Sequence, residues 1–293
     1  MRRRLTFTVT FSLTWKRSII GLMINNQQST ENRENDLVSI TSNSSTFGLT
    51  SGSQKARVIT EGFVAGYGFC PACGASLKQA PANSKALDFL CRACDEGFEL
   101  KSKSSKIGSK IVNGAHDSLM NRVMGLHNPN LYLMQYNMRE MTVQNLLVIP
   151  RYFFTPNLIE KRKALSATAR RAGWVGCNIL VGQVPQLGRI HYIKDEIEIK
   201  PEVVLKEWQA TTFLQNSANI EGRGWLLETL NCIEKIQKDN FTLDEIYAFK
   251  PYLQQAHPNN NNIEAKLRQQ LQFLRDKDVI EFLRPGHYRK KAK

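Results

Sequence analysis

The sequence has little of what marks membrane, fibrous or disulfide-stabilised proteins. No apolar run reaches the roughly 18 residues that a membrane-spanning helix needs. Six cysteines among 293 residues are too few for a disulfide scaffold. With 42% hydrophobic and 23% charged residues, the composition excludes a wholly disordered chain and a collagen-like or coiled-coil fibre. The length instead predicts about two globular domains.

Acidic residues are in the minority. Forty Lys and Arg against 26 Asp and Glu give a net charge of +14. Such an excess favours a polyanionic partner, either nucleic acid or an anionic membrane surface. The sequence lacks a convincing basic amphipathic helix, which makes the membrane surface the weaker alternative. We therefore expect a nucleic-acid partner, no membrane association and no small-molecule substrate.

Residues 1–50 differ in composition from the rest of the chain. Three arginines at positions 2–4 precede a stretch that superficially resembles a signal peptide, but Lys16 and Arg17 interrupt it and no Ala-x-Ala site follows. Residues 25–53 are rich in Asn, Ser, Thr and Gly, which is typical of a linker. We predict that residues 1–50 are a disordered or spurious extension, with Met23 as an alternative start.

Four cysteines form two close pairs that indicate a metal site. Cys70 and Cys73 make the first pair, Cys91 and Cys94 the second, and seventeen residues separate the pairs. This spacing is typical of a four-cysteine zinc ribbon. Four thiolates complete a tetrahedral coordination shell and leave no open position for catalysis. We therefore predict a structural Zn²⁺ in a ribbon spanning residues 70–94.

The second cysteine pair lies between two short apolar stretches. Residues 86–90 and 97–102 are predicted as strands of a hairpin, with residues 91–96 as its turn. Glu99 and Lys101 are two positions apart, so their side chains share one face of the strand. Asp88 lies on the partner strand and reaches that face if the register allows.

This combination of side chains suits phosphodiester hydrolysis. Two carboxylates can hold Mg²⁺ and still leave sites for water and a phosphate oxygen. A nearby ammonium can orient the attacking water and offset phosphate charge. A Glu-x-Lys pair is common by chance, and its alternative interpretation is a solvated strand face with a salt bridge. The strand context, Asp88 and the basic chain favour the nuclease.

The neighbouring segments predict a mixed α/β core. A helix is expected over residues 54–64, with Ser53 as its cap and Glu61 as either a third acidic ligand or a solvated residue. A second helix is expected over residues 115–124, and strands over residues 130–136 and 143–149.

Residues 161–176 form a basic segment with a tryptophan. Arg170 and Arg171 stand beside Trp174 and two glycines, a combination suited to phosphate contacts and base stacking. Burial in a core is the usual fate of a tryptophan, and the sequence leaves both interpretations of Trp174 open.

The C-terminal part predicts a winged helix-turn-helix. One helix starts near residue 220, a second starts at Leu243 with Thr242 and Glu245 as a capping box, and a third spans residues 263–275. Predicted strands over residues 279–283 and 286–289 flank a Pro-Gly turn. Three helices followed by a hairpin place the third helix in the DNA major groove.

The third predicted helix carries an apolar stripe. Its members are Ile263, Leu267, Leu271 and Leu274. Four polar residues are predicted to lie largely outside that stripe: Lys266, Gln269, Gln270 and Gln272. Glutamine can bond adenine through N7 and the exocyclic amine, which favours DNA binding. The alternative is an exposed polar helix in a protein–protein module.

These features carry a family resemblance. The chain resembles DpnI-type methyl-directed restriction endonucleases from about residue 53 to residue 288. The blocks that carry the resemblance are residues 53–57, both cysteine pairs, Asp88 with residues 98–103, residues 169–174 and residues 266–272. The first fifty residues depart from the family pattern.

The resemblance implies an architecture and an activity. It implies a PD-(D/E)xK nuclease core with an inserted zinc ribbon over residues 51–217 and a winged helix over residues 218–293. It also implies a type II enzyme of the bacterial cytoplasm, and we expect a monomer, although the sequence itself leaves the oligomeric state open. That enzyme would cut double-stranded DNA at GATC sites containing 6-methyladenine, as a defence against methylated incoming DNA.

The resemblance further implies roles for individual residues. Asp88 and Glu99 would bind Mg²⁺, Lys101 would position water, and Trp174 would contact the methyl group. Two alternatives remain at this point. One is a non-catalytic zinc-ribbon and winged-helix reader of methylated DNA, and the other is an RNA-binding protein.

Overall fold

The computed structural model describes residues 51–81, 84–125, 127–215 and 220–291. The predicted N-terminal extension, residues 1–50, lies outside these ranges. Within them, no helix combines the length and apolar character that crossing a bilayer requires.

Helices and short strands alternate along the described chain. The strands are β1 (Leu77–Gln79), β2 (Phe89–Cys91), β3 (Gly97–Lys103), β4 (Ile111–Ala115), β5 (Asn130–Asn137), β6 (Thr142–Ile149), β7 (Ile159–Lys161), β8 (Gly176–Ile179), β9 (Ile190–Lys194), β10 (Ile197–Glu198), β11 (Asn240–Thr242), β12 (Ile280–Arg284) and β13 (His287–Lys290). The α-helices are α1 (Gly52–Tyr67), α2 (His116–Met124), α3 (Pro201–Gln209), α4 (Ile220–Lys235), α5 (Leu243–Tyr247), α6 (Lys250–Ala256) and α7 (Ile263–Asp276). Short 3-10 helices lie at Arg151–Phe153, Pro156–Leu158, Val181–Gln183, Gln186–Gly188 and Thr212–Leu214.

A seven-stranded mixed sheet organises the first part of the chain. Its strand order is β1-β2-β3-β5-β6-β9-β10. Strands β3 and β5 run parallel, and the other neighbouring strands run antiparallel. A three-stranded sheet of order β4-β8-β7 packs beside it through apolar side chains. This part, residues 51–215, is called the sheet region below.

The two faces of the large sheet bury different cores. Phe98 and Tyr132 pack with Val64 of α1 and Trp208 of α3 on one face. On the other face, the β5 residues Leu131 and Leu133 pack with α2 and the smaller sheet. Glu99 and Lys101 pair in register with Leu131 and Leu133. Because side chains alternate along a strand, both point toward this second core.

Residues 220–291, called the helical region below, combine four helices with a three-stranded sheet of order β11-β13-β12. Trp225 and Leu230 of α4 belong to the same apolar cluster as Leu131 and Cys177 of the sheet region. The apolar core is therefore continuous across both regions.

Several sequence predictions agree with these elements. The predicted capping box is present, because Glu245 N donates to Thr242 Oγ1 at 3.3 Å and Thr242 N donates to Glu245 Oε2 at 2.8 Å. The predicted stripe of α7, from Ile263 to Leu274, is at most 1% exposed. Gly286 in the predicted turn has φ of 74°, a conformation that glycine adopts without strain.

Other predictions were wrong. Residue 53 lies inside α1, whose N-cap is Ser51 and whose cap makes no side-chain bond to the backbone. Strand β2 begins at Phe89 rather than at residue 86, because Ala86 has φ of 52° and cannot continue a strand. The helical region has four helices among its described residues rather than three, since the segment after α5 starts a new helix with Pro251 in its first turn.

Gln270 also departs from its prediction. It was expected to lie largely outside the apolar stripe of α7, but it is only 7% exposed. Gln270 lies seven positions after Ile263 and four before Leu274. At 3.6 residues per turn, these spacings place it on the buried face.

Candidate active site and nucleic-acid interface

The four predicted zinc ligands come together at the end of the sheet. Cys70 Sγ lies 3.5 Å from Cys94 Sγ, and Cys73 Sγ lies 3.4 Å from Cys91 Sγ. All four sulfur atoms lie within 4.8 Å of one another. Each cysteine pair lies on a tight backbone turn, called a knuckle below: residues 70–75 form the first and residues 91–96 the second. These four cysteines form a closed, all-sulfur donor set that can hold a zinc ion, as the sequence predicted.

The backbone of each knuckle is fixed by its own hydrogen bonds. In the first, Cys70 N donates to Ala75 O at 2.8 Å and Gly74 N donates to Cys70 O at 2.8 Å. Gly74 has φ of 78°, which this tight turn requires. In the second, Cys91 N donates to Glu96 O at 2.9 Å. The thiols therefore converge because local turns orient them.

A buried tyrosine pair anchors the first knuckle to the sheet. Tyr132 and Tyr192 both donate to Phe69 O, at 3.0 and 2.7 Å, and their hydroxyl oxygens lie 2.9 Å apart. Burial raises the pKa of both hydroxyls, so they remain protonated donors at neutral pH. The chain thus enters the knuckle at a fixed point beside Cys70.

A polar network anchors the second knuckle. Glu96 Oε2 accepts from Arg151 Nη1 at 2.5 Å and from Asn130 Nδ2 at 2.8 Å. Asn130 is fully buried, and its Oδ1 accepts from Arg151 N at 2.8 Å. This network ties the turn after Cys94 to the start of β5.

Asp88, Glu99 and Lys101 meet at the open end of the β2–β3 pair, away from the turn that carries Cys91 and Cys94. Phe89 pairs with Phe98, and Asp88 N donates to Phe98 O at 2.8 Å, so Asp88 lies across from Glu99. Asp88 Oδ2 accepts from Leu100 N at 2.7 Å, and Leu100 separates Glu99 from Lys101. Lys101 Nζ lies 2.5 Å from Glu99 Oε1. The hairpin register therefore brings all three predicted residues to one place.

The three side chains of this cluster differ in how far they are exposed to solvent. The Glu99 side chain is 9% exposed, whereas those of Asp88 and Lys101 are 21% and 31% exposed. A buried carboxylate paired with an ammonium keeps its charge at lower cost than an isolated one. The two more exposed groups remain accessible to a ligand from solvent.

Helix α1 adds a cation that the sequence did not predict. Arg57 Nε lies 2.5 Å from Glu61 Oε1, and Arg57 Nη2 lies 4.0 Å from Asp88 Oδ1. Thr60 Oγ1 is 3.1 Å from Ser102 Oγ, which fixes the helix against β3. Glu61 is thus engaged in an ion pair. The i, i+4 spacing of Arg57 and Glu61 was the available signal, but it gives no direction toward β3.

The basic segment forms an extension of the β7–β8 hairpin. Arg162 N donates to Gly176 O, Leu165 N donates to Trp174 O and Gly173 N donates to Leu165 O, at 2.9 to 3.1 Å. Arg170 and Arg171 are exposed. The segment therefore presents its cations to solvent on an ordered backbone.

Trp174 is neither a core residue nor a freely exposed ring. It is half-buried, and the guanidinium of Arg171 lies 4.7 Å from its ring centroid. A Cβ at Gly176 would approach two ring atoms to 2.8 Å, so glycine is required for this packing. The cation–π contact keeps the ring covered.

The polar side of α7 is a second candidate DNA-binding surface. Gln269 and Gln272 are exposed and Lys266 is half-buried. Lys266 and Gln269 line a shallow groove with Asn260, Asn262 and Ala265. Gln270 does not contribute to this surface, because it points into the core. The structure therefore brings the three catalytic candidates together in one cluster and the four cysteines together in another. The DNA-binding candidates lie on two separate elements.

Comparison with protein families agrees with this arrangement. Residues 40–217 match the model of DpnI, described as the Dam-replacing family, and residues 221–290 match DpnI_C, described as the Dam-replacing HTH domain. Together they cover most of the chain. The mixed α/β architecture with a four-cysteine cluster and a C-terminal helical domain is thus the DpnI-type architecture that the sequence predicted. The chain belongs to the DpnI family of methyl-directed, DNA-binding restriction endonucleases.

Proposed function

We propose that this protein cleaves double-stranded DNA at GATC sites containing 6-methyladenine, as a type II enzyme that requires Mg²⁺. The observation that carries the proposal is the position of the Asp88 carboxylate. It is bonded to Leu100 N at 2.7 Å, between Glu99 and Lys101. Membership of the DpnI family supports the methyl-directed activity.

The donor chemistry of the site fits a hard divalent cation. Asp88 and Glu99 offer carboxylate oxygens, the ligands that Mg²⁺ prefers. When bound, Mg²⁺ supplies positive charge at the phosphate and acidifies a bound water. Lys101, paired with Glu99 at 2.5 Å, orients the attacking water and offsets the negative charge that grows on the phosphate.

Two surfaces would hold the DNA. Arg170 and Arg171 contact phosphates, and Trp174 contacts the adenine methyl group. Since Arg171 covers the Trp174 ring in the free protein, engaging DNA requires the guanidinium to move from the ring to a phosphate. This exchange would couple phosphate binding to exposure of the ring.

Helix α7 would read bases in the major groove. Gln269 and Gln272 are exposed and can bond adenine edges, and Lys266 can contact a phosphate. Burial of one methyl group is worth only about 1 kcal/mol. Reading the two methyl groups of a symmetric site with two surfaces would multiply the selectivity. We further propose that a monomer performs this task in the bacterial cytoplasm.

Plasmid digestion tests the proposal. With Mg²⁺, the protein is expected to cut plasmid methylated at GATC and to leave unmethylated plasmid intact. Lys101→Ala should lower the cleavage rate by about 1000-fold while DNA binding is retained. Lys85→Ala removes an exposed lysine of the loop between β1 and β2 and should change neither property.

Other outcomes would favour the alternatives. Folded wild-type protein that binds methylated DNA without cutting it would be a reader rather than a nuclease. Competition by duplex RNA as effective as that by duplex DNA, at matched salt, would indicate an RNA-binding protein.

A further inference from the structure

The inference concerns Arg57 of α1, which lies beside the cleavage site. Its side chain is 68% exposed, and its Nε is held by Glu61 Oε1 at 2.5 Å. A guanidinium carries five N–H donors, and Glu61 engages the one on Nε. In the part of the chain that the structure describes, Nη1 and Nη2 have no hydrogen-bond partner.

The remaining donors lie next to a catalytic candidate. Arg57 Nη2 is 4.0 Å from Asp88 Oδ1, which is too long for a hydrogen bond. The Thr60–Ser102 hydrogen bond at 3.1 Å holds this part of α1 against β3. Helix α1 therefore orients Arg57 toward Asp88, and the Nη1 and Nη2 donors of the guanidinium make no hydrogen bond to the Asp88 carboxylate.

The charges around Asp88 leave one carboxylate without a matching cation. Three carboxylates, those of Glu61, Asp88 and Glu99, face two cations, Arg57 and Lys101. Each cation is matched by one acid, so Asp88 remains for a metal. A phosphate approaching Asp88 from solvent would meet the unused donors of Arg57 at the same time.

We propose that Arg57 donates hydrogen bonds to the DNA phosphate at the cleavage site and that Glu61 positions it. This inference rests on the proposed function, because it takes Asp88 as part of the cleavage site. A guanidinium suits this role since its planar fork matches two phosphate oxygens. Glu61 is then a positioning residue rather than a third metal ligand.

DNA binding without Mg²⁺ tests the contact independently of cleavage. For each protein, the affinity for a methylated GATC duplex is measured against salt concentration. Arg57→Ala should reduce the slope of log K against log salt by about 0.9, the contribution of one phosphate contact. Lys55→Ala removes an exposed lysine of the same helix and should leave the slope unchanged.

A modified duplex identifies the phosphate. Replacing the phosphate at the cleavage site by an uncharged methylphosphonate should lower the slope of the wild type by about 0.9 and that of Arg57→Ala by nothing further. Glu61→Ala removes the acceptor that holds Arg57 Nε and should reduce the wild-type slope toward that of Arg57→Ala, whereas Glu61→Gln keeps an acceptor oxygen and should keep the wild-type slope.

Three results would overturn the inference. The first is a wild-type salt slope in Arg57→Ala, even if cleavage slows, because Arg57 would then only support Asp88. The second is an equal methylphosphonate effect in wild type and Arg57→Ala. The third, a wild-type slope in Glu61→Ala, would contradict the positioning role. Failure of the proposed function is read separately, as the absence of cleavage of methylated plasmid by folded wild-type protein with Mg²⁺.

Discussion

His257, the C-cap residue of α6, stacks on Trp225 of α4, with ring centroids 3.8 Å apart and planes 17° apart. The His257 Nε2 atom also contacts Glu228 Oε2, and Glu228 Oε1 accepts from Asn157 Nδ2 at 2.8 Å. Asn157 belongs to the sheet region. The stack therefore supports the face of α4 that contacts the sheet region.

Removing the imidazole should loosen this contact. We expect His257→Ala to lower the free energy of unfolding by about 2 kcal/mol, because both the aromatic contact and the bond to Glu228 are lost. Denaturant unfolding measures the change. His127→Ala, at an exposed histidine, should shift it by less than about 0.5 kcal/mol, and equal effects would contradict the assigned role.

Metal analysis should find about one zinc per chain. Cys73→Ser should lose the zinc, whereas Cys232→Ala should retain it because Cys232 is a buried packing residue away from the cluster. Atomic absorption on purified protein gives the stoichiometry. Full zinc content in Cys73→Ser would show that the four sulfurs do not bind the ion together.

Two glycine substitutions should have opposite effects. A Cβ at Gly188 would lie 2.4 Å from the Phe153 ring, so Gly188→Ala should lower the free energy of unfolding by about 1–3 kcal/mol. Gly62 lies in α1 with open space around it, and Gly62→Ala should raise that free energy by about 0.5–1 kcal/mol. Thermal and denaturant unfolding measure both. The same sign for both variants would contradict the packing described for Gly188.

Glu234 makes stability depend on pH. Burial raises the pKa of its carboxyl, which accepts from Gln186 N at 2.7 Å. A raised folded-state pKa favours the folded protein at low pH, and this contribution is lost as the pH rises through that value. Glu234→Gln keeps the acceptor without the charge, so it should be more stable than wild type at neutral pH.

The stability difference of Glu234→Gln should shrink as the pH falls through the raised folded-state pKa and be lost below the ordinary glutamate pKa. Unfolding curves collected between pH 3 and 8, roughly, would show it. Glu198→Gln, at an exposed residue, is the control and should follow the wild type. A difference that grows toward acid would contradict the raised pKa.

Local patterns were enough to predict the elements that carry the site. The pairing of Cys70 with Cys73 and the two-residue spacing of Glu99 and Lys101 are short-range features, as is the capping box at Thr242. Such features depend on a few neighbouring residues and survive tertiary packing. The Asp88 prediction depended on hairpin register, which the sequence left open and the structure supplies.

Other features depended on tertiary contacts, and one could have been predicted from the helical spacing of its residues. The approach of Arg57 to Asp88 requires α1 to pack on β3, and no local pattern encodes that packing. The covering of Trp174 by Arg171 is likewise set by the loop conformation. Gln270, in contrast, was predictable, since its spacing from Ile263 and Leu274 placed it on the buried face.

The second cysteine pair begins at Cys91, only three residues after Asp88, and β2 contains the intervening positions. If zinc occupies the cysteine cluster, its loss would remove a restraint on the end of this strand and weaken the support for the bond from Leu100 N to the Asp88 carboxylate. If Asp88 has the role proposed for it, an oxidant that attacked the four cysteine sulfurs would inactivate the enzyme without modifying any side chain that touches the substrate.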